Sequence, residues 1–389
     1  MKGNTQLRQE SLKRVLTEIR AKGPISKRQL QKITDFSWGN MSSIITVLCE
    51  SGYIVSVGKQ NTGVGRKPEE YDINSDNNYI IGIDFNSTGT LALVCDLRGR
   101  IVKEFRERFE DNNVNKLKTR EEAEALLYKA VSEAVEFCSG KNVAYIAVAM
   151  QGDVDTENGI SANLCVIKDW KNVPVCQMLE EKFGIKTVML HDPDCVIYAE
   201  RFYGALADSD VNNAVEIRIE HGLGMAAIIN GQIYMGNKGK TCEIKNLIVP
   251  SNNELGYSYV ENVIGNSGNI VSRYTKKTGK ELTVAAIGEL ARSGNEIALE
   301  IFKNVSISLA FAISNICAVY NPDKVVLFGE MNQFEDIFLE CLKGLVKELN
   351  FADSSMPEIE LSKLDYTAAA VGAALFVADK VVDSLYFKR

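Results

Sequence analysis

The chain has 389 residues, 46% of them apolar, and a formal net charge of −7. That length predicts two or three domains with ample cores. The absence of any run of about 18 apolar residues leaves no candidate membrane span. The opening Met1-Lys2-Gly3-Asn4-Thr5-Gln6 lacks the apolar stretch of a signal peptide. Nine scattered cysteines without a C-x-x-C pair read as reduced thiols in a cytoplasm, and two histidines leave little for a His-rich metal site.

The charge is uneven. Residues 1–72 carry 12 Lys and Arg against 7 Asp and Glu, and the remainder carries 32 against 44. A basic front on an acidic body fits a head that faces nucleic acid. Leu12, Val15, Leu16 and Ile19 recur at helical spacing, and Gly23-Pro24 ends that helix. Ser26-Lys27-Arg28-Gln29 is a capping box that opens a second helix carrying Leu30 and Ile33. After the turn Thr34-Asp35-Phe36, Ser37 caps a third helix with Met41, Ile44, Ile45 and Leu48 inward and Gly52 as its stop. Tyr53 to Val57 alternates as a strand, and a polar loop from Gly58 to Gly65 leads through Arg66-Lys67-Pro68 to a second strand at Glu70 to Ile73.

Three short helices and a hairpin over residues 1–75 predict a winged helix-turn-helix. The third helix turns Trp38, Asn40, Ser42, Ser43 and Thr46 outward, small polar side chains for the most part, which suit a helix in the major groove. Lys27, Asn40, Ser42, Ser43 and Thr46 are the expected DNA contacts, with Arg66 and Lys67 at the wing tip for the minor groove or phosphate. Trp38 is expected to staple the helix start to the core, with stacking on sugar or base as the alternative. A winged helix used for protein contacts is the competing reading of this segment.

The body, residues 76–389, begins with the apolar strand Tyr79 to Phe85, a second strand Thr90 to Asp96 and a third from Ile101. A helix from about Arg120 to Ser139 and a buried strand Val143 to Met150 follow. The same β-β-β-α-β order restarts at Ala214 to Ile219, Met225 to Asn230 and Gln232 to Met235. This duplicated unit resembles the plan of the sugar kinase, actin and hexokinase superfamily, an α/β, ribonuclease H-like fold. The resemblance implies two lobes, a boundary near residue 192 and a C-terminal helix that returns to the first lobe.

The chain resembles the ROK family of repressors, open reading frames and kinases. In the head the match is Gly23-Pro24-Ile25-Ser26 and Gly65-Arg66-Lys67-Pro68 running into Tyr79 to Asp84. In the body it is Trp170 to Pro174, Asp192, Gly231 to Gly239, Cys242-Glu243-Ile244, Asn321 to Leu327 and Ala370 to Ala374. A head on such a body is similar to the repressor branch of the family. ROK kinases hold ATP on glycine-rich turns, and this sequence departs from all three. The first is Asp84-Phe85-Asn86-Ser87-Thr88-Gly89, without the paired glycines and the lysine. The second is Glu220-His221-Gly222-Leu223-Gly224, and the third is Phe328-Gly329-Glu330. Two carboxylates and a ring stand where phosphates would lie, and close like charges cost several kcal/mol at a dielectric of about 20. The family's zinc ligands are replaced by Glu243-Ile244-Lys245-Asn246 and Asn252 to Tyr259, which supply neither thiolate nor imidazole, so no metal and no cofactor are expected.

The sugar-contacting set is partly kept. The resemblance implies that Asp192 stands for the catalytic carboxylate and Glu243 and Glu261 for the glutamates that grip hydroxyls, while His191 replaces an asparagine and Asn246 a histidine. Carboxylates suit polyols because each accepts hydroxyl protons. The expected function is a cytoplasmic, sequence-specific transcriptional regulator, a repressor by the resemblance and not an enzyme. It binds operator DNA as a homodimer or homotetramer and answers to a carbohydrate in the degenerate cleft, with the signal passing through the Ser75-to-Tyr79 joint. The alternatives are a ROK sugar kinase with an appended DNA-binding head, and a regulator that answers to a protein partner. Trp170 lines the cleft or fills the core of a lobe.

Overall fold

The structure, a computed structural model, describes residues 4–59, 68–76, 78–110, 117–207, 210–220, 222–237, 239, 241–251, 253–264, 267–349, 356–378, 380 and 381. The chain divides into two units, Met1–His191 with Thr367–Arg389, and Asp192–Tyr366.

The first unit opens with α1 (Asn4–Lys22), β1 (Ile25–Ser26), α2 (Lys27–Thr34) and α3 (Trp38–Glu50), then β2 (Ile54–Lys59) and β3 (Glu69–Ile73). The apolar stripe Leu12, Val15, Leu16 and Ile19 of α1 is buried together with Met41, Ile44, Ile45 and Leu48 of α3. Both helix starts follow local chemistry. Ser26 Oγ accepts the Gln29 N–H while Gln29 Oε1 accepts the Ser26 N–H at 3.0 Å, and Ser37 Oγ accepts the Asn40 N–H at 3.3 Å. The strands form a three-stranded sheet in the order β1-β3-β2. The helix–helix–helix–hairpin order is that of a winged helix-turn-helix.

The unit continues with β4 (Asn78–Asn86), β5 (Gly89–Asp96), β6 (Ile101–Arg108), α4 (Arg120–Phe137), β7 (Asn142–Met150), β8 (Asp153–Asp155), β9 (Ile160–Asn163), β10 (Lys171–Val173), α5 (Val175–Phe183) and β11 (Thr187–His191). The second unit holds α6 (Asp192–Tyr203), β12 (Ala214–Ile219), β13 (Leu223–Ile229), β14 (Gln232–Ile233), β15 (Ile248–Pro250), β16 (Tyr257–Tyr259), α7 (Val260–Ile264), α8 (Ser267–Thr278), α9 (Val284–Arg292), α10 (Glu296–Tyr320), β17 (Lys324–Gly329), α11 (Glu335–Leu349) and β18 (Glu358–Leu361). The chain then returns to the first unit as α12 (Ala368–Ala378).

Each unit is built on a five-stranded sheet, β6-β5-β4-β7-β11 in one and β14-β13-β12-β17-β18 in the other. In both, the first three strands pair antiparallel and the last three parallel. The two sheets therefore repeat one topology. β4 is a near-continuous apolar run because helices cover both of its faces, and α12 packs directly on it. Helix α12 is apolar all round and buried at every position but the half-buried Phe376, as such a helix must be. Trp170 fills the core of the first unit: it is 1% exposed, its ring centroid lies 5.3 Å from that of Phe85, and its Nε1–H donates to Ser161 Oγ. Among the described residues one helix, α10, is long and apolar enough to cross a membrane, and its apolar face forms the core of the second unit.

The head is fastened to the sheet of its own unit by side chains from distant parts of the chain. Arg98, in the β5–β6 turn, donates to the carbonyls of Ile19 and Arg20 at the end of α1 and pairs with Asp72 on β3. Arg20 in turn donates to the Leu375 carbonyl of α12 at 3.0 Å, and the Tyr53 hydroxyl donates to the Val381 carbonyl at 3.0 Å. Arg100 adds a bond to Ser75 Oγ at 2.6 Å.

Candidate functional site

On α3, Asn40, Ser43 and Thr46 are exposed and Ser42 is half-buried. Lys27 is half-buried, with its ammonium over the Tyr71 ring at 5.3 Å from the centroid. The expected wing-tip contacts Arg66 and Lys67 lie outside the described residues. Trp38 corrects the sequence expectation. It is 56% exposed, so it does not staple the helix start to the core. The capping serine before it already satisfies the helix, which leaves the indole on the surface beside Asn40. Trp38→Ala is therefore expected to change folding stability by no more than about 0.5 kcal/mol, as read by chemical denaturation.

The second unit gathers an acidic site around β12. Glu216, Arg218 and Glu220 follow one another at i, i+2 and i+4, a spacing that puts side chains on one face of the strand. Arg218 Nη1 donates to Asp192 Oδ2 at 2.7 Å, while its Nε and Nη2 donate to Glu220 Oε2 at 2.8 and 2.6 Å. The guanidinium also lies over the Phe328 ring at 5.7 Å. Asp192 opens α6, whose first turn also carries Asp194, and carboxylates are stabilised at that positive end. Burial, and then the neighbouring Asp192, push the Asp194 carboxyl up to about 7. Glu216 is fully buried with neither carboxyl oxygen hydrogen-bonded, and burial holds its proton well above the usual carboxylate range. Glu200 on α6, also fully buried, accepts from the Ser362 hydroxyl and from the Ala205 N–H at 2.6 Å, and its carboxyl is raised by burial too.

Beside this cluster stands a short 3-10 turn, Ile244–Asn246. Glu243, half-buried, precedes it and pairs with Lys245 at 3.0 Å. Asn246 is exposed. The turn is tied to α7 by the Val260 N–H, which donates to the Leu247 carbonyl at 2.8 Å, and Glu261 follows in the first turn of α7. Burial raises the Glu261 carboxyl while Lys245 opposes the shift. Burial raises the Cys242 thiol, and Asp194 and Glu243 both add to the shift electrostatically. Asp192, Glu243, Asn246 and Glu261 thus all belong to the second unit, and the last three form one neighbourhood around Lys245. His191, half-buried, is the last residue of β11 in the first unit. Sequence reasoning missed Arg218, Glu216 and Glu200. The signal was the acid–base–acid alternation inside an otherwise apolar strand.

The three phosphate-turn positions make contacts within the chain. In the β4–β5 turn, Asn86 Oδ1 accepts the Thr88 N–H at 2.9 Å, and Gln151 Oε1 accepts the Ser87 N–H at 2.7 Å. Those donors are spent on the protein rather than aimed at an anion. At the β12–β13 turn the Glu220 N–H donates to the Gly222 carbonyl at 3.1 Å, and His221 lies outside the described residues. At the end of β17, Gly329 has φ 126° and no room for a side chain: a Cβ there would stand 2.2 Å from the Ile219 carbonyl oxygen and 2.9 Å from Glu220 Cγ. Where the zinc ligands of the resembling family would stand, Lys245 pairs with Glu243, and β15 and β16 form a hairpin. Asn252 lies outside the described residues.

A winged-helix head on a doubled sugar-kinase-type sheet plan defines the class. The chain belongs to the ROK family, whose model matches residues 80–380. It is 23% identical to a putative xylose repressor of Caldicellulosiruptor sp. (strain Rt8B.4), over 91% of each chain. It is 22% identical to the xylose repressor of Bacillus subtilis (strain 168), over 98% of each. It is 23% identical to the DNA-binding transcriptional dual regulator NagC of Escherichia coli (strain K12), over 94% of this chain and 92% of that one. Among solved structures, a ROK family transcriptional regulator, a homolog of the E. coli MLC protein, matches with a TM-score of 0.82 at 20% identity over 97% of this chain and 96% of its own. A ROK family glucokinase from Streptomyces griseus, in complex with glucose and AMPPNP, matches with a TM-score of 0.64 at 20% identity over 76% of this chain and 98% of its own.

Proposed function

We propose that the protein is a carbohydrate-responsive, DNA-binding transcriptional repressor that has no phosphoryl-transfer activity and acts in the cytoplasm. The observation that carries the reading is the joining of two features in one chain. A small polar helix face, Asn40, Ser43 and Thr46, is exposed on the head, and in the kinase-type body the side chains of Asn86 and Gln151 occupy the N–H donors of the first phosphate turn. Relatives at 22–23% identity over nearly the whole length carry the names of xylose and N-acetylglucosamine repressors. A symmetric pair of heads would read a palindromic operator through α3 in the major groove, with half-sites set by the turn of the duplex. Asp192, Glu243 and Glu261, with Asn246, would receive the sugar hydroxyls.

A ligand changes DNA affinity only by its differential affinity for two states of the protein. Coupling of about 1–3 kcal/mol changes operator affinity roughly 5- to 150-fold. The test is fluorescence anisotropy on an operator selected in vitro, titrated with monosaccharides. Asp192→Asn and Glu243→Gln are expected to bind operator like the wild type and to lose the sugar response. Wild-type sensitivity in both variants would move the ligand site elsewhere. Metal-dependent phosphate transfer from ATP to a hexose or pentose would overturn the reading in favour of a kinase.

A further inference from the structure

Arg218 is the least expected group in the site, because nothing in a sugar-hydroxyl pocket requires a guanidinium. All three of its nitrogens already donate to carboxylates of its own chain, one to Asp192 and two to Glu220. Its side chain is 11% exposed and lies over Phe328, so the fork is held from the side as well as at its tips. The retained glycine Gly224 serves the same arrangement. A Cβ at that position would meet Pro193 Cγ at 2.6 Å and Arg218 Cβ at 3.8 Å, so the missing side chain seats the start of α6, and with it Asp192, over Arg218. Behind the fork stands Glu216, fully buried and without a hydrogen-bond partner, aimed from the same strand face as Arg218. The guanidinium therefore sits among three carboxyl groups, those of Asp192, Glu216 and Glu220.

We infer that Arg218 sets the ligand class: held between Asp192 and Glu220, it makes the site accept an unphosphorylated sugar and refuse a sugar phosphate. The inference rests on the sugar-sensing function proposed above and narrows it. A phosphate arriving here would need a cation whose charge is not already balanced, and the Arg218 guanidinium is balanced by Asp192 and Glu220. It would also meet the carboxylates of Asp192 and Glu220 at short range, where like charges in a partly buried place repel strongly. The positive end of α6, which elsewhere would attract an anion, already carries Asp192 and Asp194. Hydroxyl groups face no such conflict, because they donate to carboxylates.

The test is calorimetric titration of the full-length protein with D-glucose and N-acetylglucosamine, each against its 6-phosphate, and with D-xylose. In the wild type at least one parent sugar is expected to bind, and any phosphate at least about tenfold more weakly. Glu220→Gln removes one carboxylate and releases part of the Arg218 fork. It is expected to narrow that ratio by raising phosphate affinity, whereas Arg218→Gln should not raise it. A phosphate that binds the wild type as tightly as its parent sugar, or more tightly, overturns the inference and leaves the sugar-sensing function standing. An unchanged ratio in a folded Glu220→Gln variant overturns the role of Arg218. Should that variant not fold, the wild-type ratio decides alone. If neither sugars nor phosphates bind, the sensing function itself fails and the inference falls with it.

Discussion

Gly82→Ala is expected to cost about 3 kcal/mol and to lower the melting temperature by roughly 6–12 °C for a unit of about this size. Gly82 lies in the middle of β4, opposite Leu93 and Ala147. A Cβ there would stand 2.1 Å from the Ala370 carbonyl oxygen and 3.2 Å from Ala374 Cβ. The clash is with backbone, so no rotamer change relieves it. α12 must lift from the strand, and the Leu375 carbonyl that Arg20 holds would move with it. Operator affinity should therefore fall along with the melting temperature. Gly344→Ala is the control, since nothing stands within 4 Å of its Cβ position on α11. That change is expected to stabilise the protein by about 0.4–1 kcal/mol through the unfolded chain. Calorimetric melts of the two variants, with opposite signs expected, check both claims.

The second large effect is a pH dependence. Glu216 and Asp194 keep their protons in the folded protein at pH values where the unfolded chain has lost them. Between about pH 4 and the raised folded value the unfolded state binds fewer protons, so stability falls as pH rises. For Asp194 the window closes at about 7. For each such group the slope approaches about 1.4 kcal/mol per pH unit. Glu216→Gln removes the ionisable group while keeping its shape. It is expected to match the wild type near pH 4 and to become progressively more stable than it toward pH 7, as measured by urea denaturation at a series of pH values. A constant difference between the two curves would show that Glu216 is ionised throughout.

Most of the fold was legible because it rests on local pattern. The α1 stripe, the Ser26–Gln29 box and the apolar strands β4, β5 and β7 each carry their periodicity within a dozen residues. The doubled strand order followed from noticing that the same run of elements begins again at Ala214. What escaped depends on contacts across long sequence distances. Glu216 and Arg218 read in isolation as the solvated face of a strand, and only the packing of α6 over β12 and β13 makes them interior. The exposure of Trp38 could not be read from its position after a capping serine, since either orientation of the indole suits the helix. At the expected Ser75-to-Tyr79 joint, Arg100 is bonded to Ser75. The fastenings through Arg98, Arg20 and Tyr53 carry no local signature at all.

Those fastenings impose an order in time. Arg20 and its acceptor at Leu375 are separated by 355 positions, and Tyr53 and its acceptor at Val381 by 328. A ribosome needs on the order of tens of seconds to make that much chain. Throughout that interval the head, whose own core is local, can fold while its anchors do not yet exist. The nascent protein thus carries a finished DNA reader on an unfinished sensor until the segment with the Leu375 and Val381 carbonyls is made. A chain broken off before Leu375 would accordingly carry a head without either of these anchors.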